Sequence, residues 1–263
     1  MPPLVGRLTL TTVTAVRGFG VDIGGSGIKG GLVDLDKGEL IGERLRIETP
    51  VPSLPEPVCD VVARIVDSFG WTERIGVTFP GVMKSGVAYT AANVDKSWIG
   101  TDLAAGLAER IPGTVQTLND ADAAGIAEMR YGAGRDRRGL VLMLTFGTGI
   151  GSALFIDGNL VPNTELGHIE VDGHDGERKA SAAARDREGL SWQAWAKRVD
   201  RYLDVLEKSL WPDLIIVGGG VSKKAHKWVP LLTTRTPVVP AQLQNDAGIV
   251  GAALAAAEGA EPA

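Results

Sequence analysis

The spacing of apolar residues divides the first 120 residues into short strands and two helices. Residues 18–34 alternate apolar and small side chains around a glycine-rich turn, which predicts two adjacent strands. Apolar residues from Val58 to Val66 recur at helical spacing and predict a buried helix face. The elements predicted here are two strands within 18–34, strands at 39–48, 74–79 and 114–118, and helices at 56–69 and 101–109, the second capped by Thr101.

The pattern of the first strand pair returns in the second half of the chain. A strand at 140–146 runs into a turn of small residues at 147–151, and another strand follows at 152–156. Two strand–turn–strand units of the same kind predict two related lobes with a cleft between them. The remaining predictions are strands at 159–161, 214–217 and 236–241, a polar irregular segment at 163–189, and helices at 121–131, 191–210, from 222 onwards and at 246–258.

These elements predict a mixed α/β chain with two lobes. We divide it into an N-terminal extension at 1–17, a small first lobe at 18–118 and a larger second lobe at 119–245. The small-residue helix at 246–258 can pack closely across the junction and joins the first lobe. Trp192 and Trp195 lie on the apolar stripe of the helix at 191–210. We interpret them as core side chains, and the alternative is a platform for stacking a sugar ring.

Composition narrows the possible partners. The 263 residues carry a net charge of −5, which argues against nucleic-acid binding by the molecule as a whole. The single cysteine, Cys59, excludes an intrachain disulfide and a cysteine-based zinc site, and it favours a reducing, cytoplasmic location. Residues 1–17 lack the basic start of a signal peptide, and no apolar run is long enough to span a membrane.

The glycine-rich turn at 24–27 admits several interpretations. Residues 25–30 match the GxGxxG pattern of dinucleotide-binding folds, but that fold needs a helix after the turn, and here a strand follows. A P-loop is excluded because no Gly-Lys-Ser/Thr ending is present. A purely structural turn would not need the acid Asp22 at the end of its first strand. A pair of phosphate-binding hairpins, one in each lobe, is the interpretation that remains.

Several motifs together resemble one family. The chain resembles the ROK sugar kinases, and among them the polyphosphate glucokinases of actinobacteria, over residues 19–254. The resemblance implies the two-lobed ribonuclease H-like fold of actin and hexokinase, with the active site in the cleft between the lobes. The motifs on which the resemblance rests are DIGGSGIKG at 22–30, NDAD at 119–122, LTFGTGIGS at 144–152, ELGH at 165–168, VGGGVS at 217–222 and NDAGIVGA at 245–252.

The resemblance implies that Asp120 is the catalytic base and that Asn119 binds the sugar beside it. A sugar hydroxyl does not ionise near neutral pH, so phosphoryl transfer needs a carboxylate that accepts its proton. The alternative for Asp120 is a helix cap. We interpret Asp122 as an acid in the first turn of the following helix.

Glu165 and His168 are implied to bind glucose hydroxyls, since a carboxylate and an imidazole supply both acceptors and donors. Many relatives also bind zinc through this histidine and a cysteine-rich stretch after it. This chain has only His174 there, so we expect no structural zinc. In the family a further sugar-binding glutamate follows these cysteines, and Glu188 is the candidate for it in this chain. Asn93 is either a sugar ligand or a simple turn residue.

The same resemblance implies which residues bind the phosphate donor. It assigns phosphate contacts to both glycine loops and to a third glycine run, and it assigns Mg²⁺ to Asp22, held directly or through water. Lys29 is either a phosphate ligand or a solvated strand residue. The predicted donor-binding residues are Gly24, Gly25, Ser26, Gly27, Lys29, Thr148, Gly149, Gly218, Gly219, Gly220, Lys223 and Lys224.

A polyphosphate donor is a long chain of negative charge and needs a basic strip in an acidic protein. We predict that Lys223, Lys224 and some basic residues within 178–187 form it. The predicted reaction moves the terminal phosphoryl group of polyphosphate, and also of ATP, to the 6-hydroxyl of glucose or mannose, in a homodimer. The alternatives are an ATP-only kinase for another hexose or amino sugar, and a non-catalytic sugar-binding regulator.

Overall fold

The computed structural model describes residues 16–259, and its first lobe is built on one twisted sheet. The order of strands in this sheet is β3-β2-β1-β5-β8, with β4 also paired to β2. Strands β1 and β2 are antiparallel, whereas β1, β5 and β8 run parallel. The strands of this lobe are β1 (Arg17–Ile23), β2 (Ile28–Asp34), β3 (Glu39–Leu40), β4 (Leu45–Ile47), β5 (Ile75–Phe79), β6 (Met83–Lys84), β7 (Val87–Ala88) and β8 (Val115–Asn119).

Two helices complete the first lobe, α1 (Pro55–Ser68) and α2 (Leu103–Ala108). The valines of α1 are buried against the sheet, as their spacing predicts. Two local predictions were wrong. The strand expected at 39–48 is split into β3 and β4, because the chain turns at Gly42 with a positive φ of 78°. The cap of α2 is Asp102 rather than Thr101, since the Asp102 carboxylate accepts the N–H of Ala105 at 2.8 Å.

The second lobe repeats the arrangement of the first. Its sheet has the order β11-β10-β9-β14-β15, with β9 antiparallel to β10 and parallel to β14. This repetition confirms the two related lobes predicted from the sequence. The elements from residue 120 onwards are α3 (Asp120–Tyr131), β9 (Leu140–Phe146), β10 (Ile150–Ile156), β11 (Asn159–Val161), β12 (Glu170–Val171), β13 (His174–Asp175), α4 (Gly176–Ala180), α5 (Ala182–Arg187), α6 (Trp192–Leu210), β14 (Leu214–Gly218), β15 (Val238–Pro240) and α7 (Ala247–Glu258).

The segment at 163–189 is more ordered than its composition predicts. It contains β12, β13, α4 and α5, and α4 begins at Gly176, where an added Cβ would lie 2.6 Å from the ring of Tyr202. This close packing on α6 is a tertiary contact that a local pattern cannot show. The helix expected from 222 is a 3-10 helix, Gly220–Lys227, kinked at Lys224. Trp195 is buried in the core, as predicted.

Helix α7 lies against the first sheet and against α3. An added Cβ at Gly20 or Gly76 would lie within 2.0 Å of an α7 backbone carbonyl, and one at Gly251 would lie 1.7 Å from the carbonyl of Ala123. Glycines therefore let α7 touch the backbones of both neighbours. The helix therefore contacts elements of both lobes, and its assignment to the first lobe stays a prediction. The boundary between 118 and 119 and the extension at 1–17 stay predictions, and residues 1–15 lie outside the described residues.

Candidate active site

Asn119 and Asp120 lie where β8 ends and α3 begins. The side-chain oxygen of Asn119 accepts the N–H groups of Ala121 at 2.8 Å and Asp122 at 3.0 Å, so Asn119 caps the helix. Its amide donates to the carbonyl of Gly81 at 3.0 Å. One oxygen of Asp120 also accepts the Ala121 N–H at 2.8 Å, and this side chain stays exposed. The capping role is therefore centred on Asn119, which leaves Asp120 open to the cleft.

The Asp120 carboxylate lies among other acids. Protein atoms around the cleft reduce the hydration of this solvent-accessible carboxylate, and together with the negative charge of Asp22 and then that of Glu165 they raise the pKa of Asp120 to about 7. The two neighbours come from different lobes, since Asp22 ends β1 and Glu165 follows β11. A carboxylate that is exposed to the cleft and titrates near neutral pH suits a general base.

Asp22 is held in place from several sides. One of its oxygens accepts a hydrogen bond from the Thr78 hydroxyl at 2.9 Å, and the other accepts from the Lys29 ammonium at 3.1 Å. The first turn of α7 approaches it closely, because a Cβ at Gly248 would lie 3.1 Å from its carboxyl carbon. Lys29 is therefore bound to the acid at the donor side of the cleft, and it is not a freely solvated strand residue.

The first glycine loop presents bare backbone. The Gly24 N–H donates to the Gly27 carbonyl at 3.2 Å, and the Thr49 hydroxyl donates to the Gly24 carbonyl at 2.5 Å. Within residues 16–259 no acceptor is recorded for the N–H groups of Gly25, Ser26 and Gly27. Backbone N–H groups of this kind can bind phosphate oxygens.

The second glycine loop is supported by an acid that the sequence pattern did not reveal. The Ile150 N–H donates to the carboxylate of Glu177 at 3.0 Å, and an added Cβ at Gly149 would lie 2.2 Å from the same oxygen. Glu177 lies in the first turn of α4, inside the segment predicted to be irregular. The Asp175 side chain makes no capping hydrogen bond at the start of α4, so no local capping signal pointed to Glu177.

Glu165 and His168 lie together with two further acids. The His168 Nε2 atom is 3.6 Å from the Glu165 carboxylate, and its Nδ1 atom is 3.4 Å from Asp175 and 4.0 Å from Glu177. Burial raises the pKa of Glu165, although His168 partly opposes this. The cluster places several carboxylate acceptors within 4.0 Å of one imidazole, which suits the recognition of hydroxyl groups.

Asn93 and Glu188, the two remaining candidates for sugar binding, differ in position. Asn93 has a positive φ of 61° and its backbone lies against the first glycine loop, where an added Cβ at Gly25 would be 2.6 Å from its carbonyl oxygen. Glu188 follows α5 and its carboxylate accepts from Arg198 at 2.6 Å. Within the described residues no contact joins Glu188 to His168, so its sugar-binding role stays a prediction.

The third glycine run follows β14 beside the second loop. Gly218 pairs with Thr145 in the sheet, and Gly219 has a positive φ of 79°. An added Cβ at Gly219 would lie 2.2 Å from the carbonyl of Phe146, so only glycine fits there. Lys223 and Lys224 follow on the 3-10 helix and are exposed.

The described residues, 16–259, offer few ligands for a metal ion. No cluster of three or more His, Cys, Asp or Glu side chains there could hold a metal ion. Asp22 alone still fits a Mg²⁺ ion that takes its other ligands from donor phosphates and water, which is how such ions are commonly held. In the same range, no helix has the length and apolar character needed to cross a bilayer.

The strand order of the two sheets and the residues of the cleft together indicate what kind of enzyme this is. Two sheets of the same strand order, with a glycine loop from each lobe and a carboxylate between them, are the features of a phosphotransferase with the actin/hexokinase-like ATPase fold. A family model described as the ROK family matches residues 18–189. The chain belongs to the ROK family.

Relatives with known activities share most of the chain. The polyphosphate glucokinase of Mycobacterium tuberculosis is 56% identical over 243 residues, which are 92% of this chain and 92% of that protein. The crystal structure of an inorganic polyphosphate/ATP-glucomannokinase from Arthrobacter sp. strain KM is 53% identical, has a TM-score of 0.89 and covers 93% of this chain and 100% of that one. A ROK glucokinase from Streptomyces griseus, in complex with glucose and AMPPNP, is 26% identical with a TM-score of 0.77, over 92% of this chain and 100% of that one.

Proposed function

We propose that this protein is a polyphosphate-dependent glucokinase. It transfers the terminal phosphoryl group of polyphosphate, and also of ATP, to the 6-hydroxyl of glucose, and mannose is a second acceptor. The high identity to polyphosphate glucokinases and to a polyphosphate/ATP-glucomannokinase supports both the donor and the acceptor. The alternatives, an ATP-only kinase for another sugar and a sugar-binding regulator, have no comparable support.

The observation that carries this proposal is the position of Asp120. Its carboxylate lies near Asp22 of the donor side and Glu165 of the acceptor side, with a pKa raised to about 7. At neutral pH a large share of the carboxylate can therefore accept the proton of the 6-hydroxyl as the oxygen attacks phosphorus. The leaving phosphate chain keeps the electrons of the broken P–O bond.

On the acceptor side, we assign the glucose hydroxyls to Glu165 and His168, with Asn93 and Asn119 at the edge of the site. Asn119 already uses its oxygen to cap α3, so its free amide hydrogen is the group available to a sugar oxygen. Fixed partners orient the 6-hydroxyl towards Asp120, and orientation is worth a large part of the rate enhancement.

On the donor side, we assign the phosphates to the loops at 24–27 and 147–151, to the glycines at 218–220 and to Lys223 and Lys224. Asp22 would hold Mg²⁺, mainly through water, because both of its oxygens already accept hydrogen bonds from Thr78 and Lys29. The ion would neutralise donor charge when bound. Closure of the lobes would limit donor hydrolysis by excluding water.

The test measures glucose 6-phosphate formation with polyphosphate or ATP as the sole donor, in the wild-type protein and in Asp120→Asn. We expect activity with both donors in the wild type and a loss of about 10²-fold or more in the variant. Unchanged activity of Asp120→Asn would contradict the mechanism. Activity with ATP and N-acetylhexosamines alone would favour the other kinase, and glucose binding without turnover would favour the regulator.

Two further properties belong to the same proposal. The homodimer is implied by the family resemblance, and analytical ultracentrifugation of the purified chain tests it. The cytoplasmic location is supported by the single cysteine, Cys59, which is buried and unpaired.

A further inference from the structure

One row of polar side chains crosses the first sheet at the cleft. In strand register, Thr78 of β5 pairs with Asp22 of β1, Asp22 pairs with Lys29 of β2, and Lys29 pairs with Arg46 of β4. Directly paired residues point to the same face of a sheet. The row therefore leads from the acid beside Asp120 outwards to an arginine on an outer strand.

Arg46 lies directly over the first glycine loop. Its guanidinium donates to the carbonyl of Ser26 at 2.8 Å, and an added Cβ at Gly27 would lie 2.6 Å from its Nε and Nη2 atoms. The neighbouring Thr49 holds the other end of the loop through the carbonyl of Gly24. The segment after Gly42 thus binds the carbonyls of the loop, while the free N–H groups of the loop remain available for phosphate.

Arg46 differs from the basic residues beside it, Lys29 and Arg44, because it has no acidic partner among the described residues. Lys29 is paired with Asp22, and Arg44, which directly precedes β4, is paired with Asp246. For Arg46 no carboxylate lies within ion-pair distance among residues 16–259. Its side chain is exposed, and a single hydrogen bond to Ser26 leaves most of its five N–H donors unused.

We propose that Arg46 binds a non-transferred phosphate of the polyphosphate donor, so that the phosphate chain leaves the cleft along Lys29 and Arg46. This inference rests on the proposed function and adds a subsite to it. A guanidinium fork matches two oxygens of one phosphate, whereas backbone N–H groups of the loop bind the phosphate nearest the reaction. In this arrangement the negatively charged phosphate of the donor forms the ion pair that Arg46 lacks within the described residues.

The direction of the row favours polyphosphate over ATP. Neighbouring strands are about 4.8 Å apart, so Arg46 lies roughly 10 Å from Asp22 along the sheet. Polyphosphate carries a negative charge on each internal phosphate and can continue along this distance. ATP ends after three phosphates in a nucleoside, which the proposed site places at the glycines 218–220 of the other lobe.

The experiment compares Arg46→Gln and Arg46→Lys with Arg64→Gln as the matched control. Arg64 is an exposed arginine of α1 in the same lobe, away from the loop. We expect Arg46→Gln to raise the KM for polyphosphate about tenfold, the effect of losing one charged hydrogen-bonded contact. The KM values for ATP and glucose should change less than twofold, and Arg46→Lys should recover part of the loss. The KM for polyphosphate should also depend less steeply on salt in Arg46→Gln.

The outcomes separate this inference from the proposed function. If the wild-type protein does not use polyphosphate, the proposed function itself fails. If the wild type uses polyphosphate and Arg46→Gln changes both donors equally, Arg46 only positions the shared loop, and the subsite is overturned. An unchanged salt dependence together with no recovery in Arg46→Lys would also overturn it.

Discussion

The backbone of Gly25 packs against the backbone of Asn93. A Cβ at residue 25 would lie 2.6 Å from the Asn93 carbonyl oxygen, which is too close for any side chain. Gly25 belongs to the loop proposed to bind donor phosphate, and Asn93 belongs to the segment proposed to contact the sugar. The two substrates are therefore connected through one backbone contact, which requires glycine on the donor side.

The contact predicts the effect of Gly25→Ala. The new methyl group must displace either the loop or residue 93, so both donor phosphate and sugar lose their positions. We expect kcat/KM to fall about 100-fold with either donor, since a displacement near 1 Å has this effect on catalysis. Gly31→Ala is the control, because its nearest neighbours lie at an ordinary 3.5 Å. Equal activity of the two variants would show that the contact is unimportant.

The raised pKa of Asp120 predicts the pH dependence of the rate. The base must be deprotonated, so kcat/KM for glucose should rise tenfold per pH unit up to about pH 7 and then level off. The measurement uses saturating donor, which keeps titration of the free donor out of the profile. Asp122→Asn is the control, because burial also raises the pKa of Asp122 to about 7, and the Asn163 N–H that it accepts can bind an asparagine oxygen equally well. If the acidic limb of the pH profile disappears in Asp122→Asn, the limb reports the titration of Asp122 and not that of Asp120.

The raised pKa of Asp120 also predicts that stability falls as pH rises, whereas activity increases. A carboxyl with a pKa raised in the folded state binds a proton more tightly there, so the stability it contributes is lost as pH rises through about 7. Asp120→Asn should therefore raise Tm more at pH 8 than at pH 5. Allowing for solvent screening, the substitution should stabilise the protein by about 1 kcal/mol more at pH 8 than at pH 5, which corresponds to roughly 2–4 °C in Tm.

The sequence predicts the groups that lie in continuous motifs and misses those positioned by tertiary contacts. The glycine loops and Asn119-Asp120 are recognisable because strand, turn and helix start follow one another in the chain. Glu177 was missed because α4 begins where Gly176 packs on Tyr202, a tertiary contact that the local sequence pattern does not show. Arg46 was missed because its place beside Lys29 depends on the turn at Gly42, which resets the register of β4.

Glu177→Gln should separate the two roles of that residue. The amide oxygen can still accept the Ile150 N–H, but the negative charge near His168 is lost. We expect the glucose KM to rise about tenfold while the KM for either donor stays within twofold. Glu177→Ala, which also removes the support of the second loop, should raise both. Glu170→Gln, an exposed acid on β12, is the control, and a glucose KM that is unchanged in Glu177→Gln would exclude the residue from the sugar site.

Charge reversal on the second lobe tests the basic strip predicted from the sequence. Lys223 and Lys224 are exposed, and no acid pairs with them in the described part of the chain. The double variant Lys223→Glu/Lys224→Glu distinguishes this strip from the path along Arg46. A phosphate chain held by the strip predicts a loss of about tenfold in kcat/KM with polyphosphate and less than threefold with ATP, whereas a chain that leaves along Arg46 predicts similar losses with the two donors. The effect should shrink at high salt. An equal loss with both donors would place the lysines at a phosphate that the donors share.

The contact between α3 and α7 predicts the cost of Gly251→Ala. An added Cβ would lie 1.7 Å from the Ala123 carbonyl oxygen. The Cβ position is fixed by the backbone of α7 and the carbonyl is part of the backbone of α3, so neither can rotate away. The helices must separate, which also shifts α3 and with it Asp120. We expect a loss of about 3 kcal/mol of stability, or a Tm lower by roughly 6–12 °C, together with reduced kcat. Gly106→Ala, in α2, should instead keep or raise Tm, because its Cβ would lie 3.6 Å from Cys59 and alanine favours the helix. Similar Tm values for the two variants would mean that α7 can move away from α3 without cost, and that the close packing at residue 251 does not position Asp120.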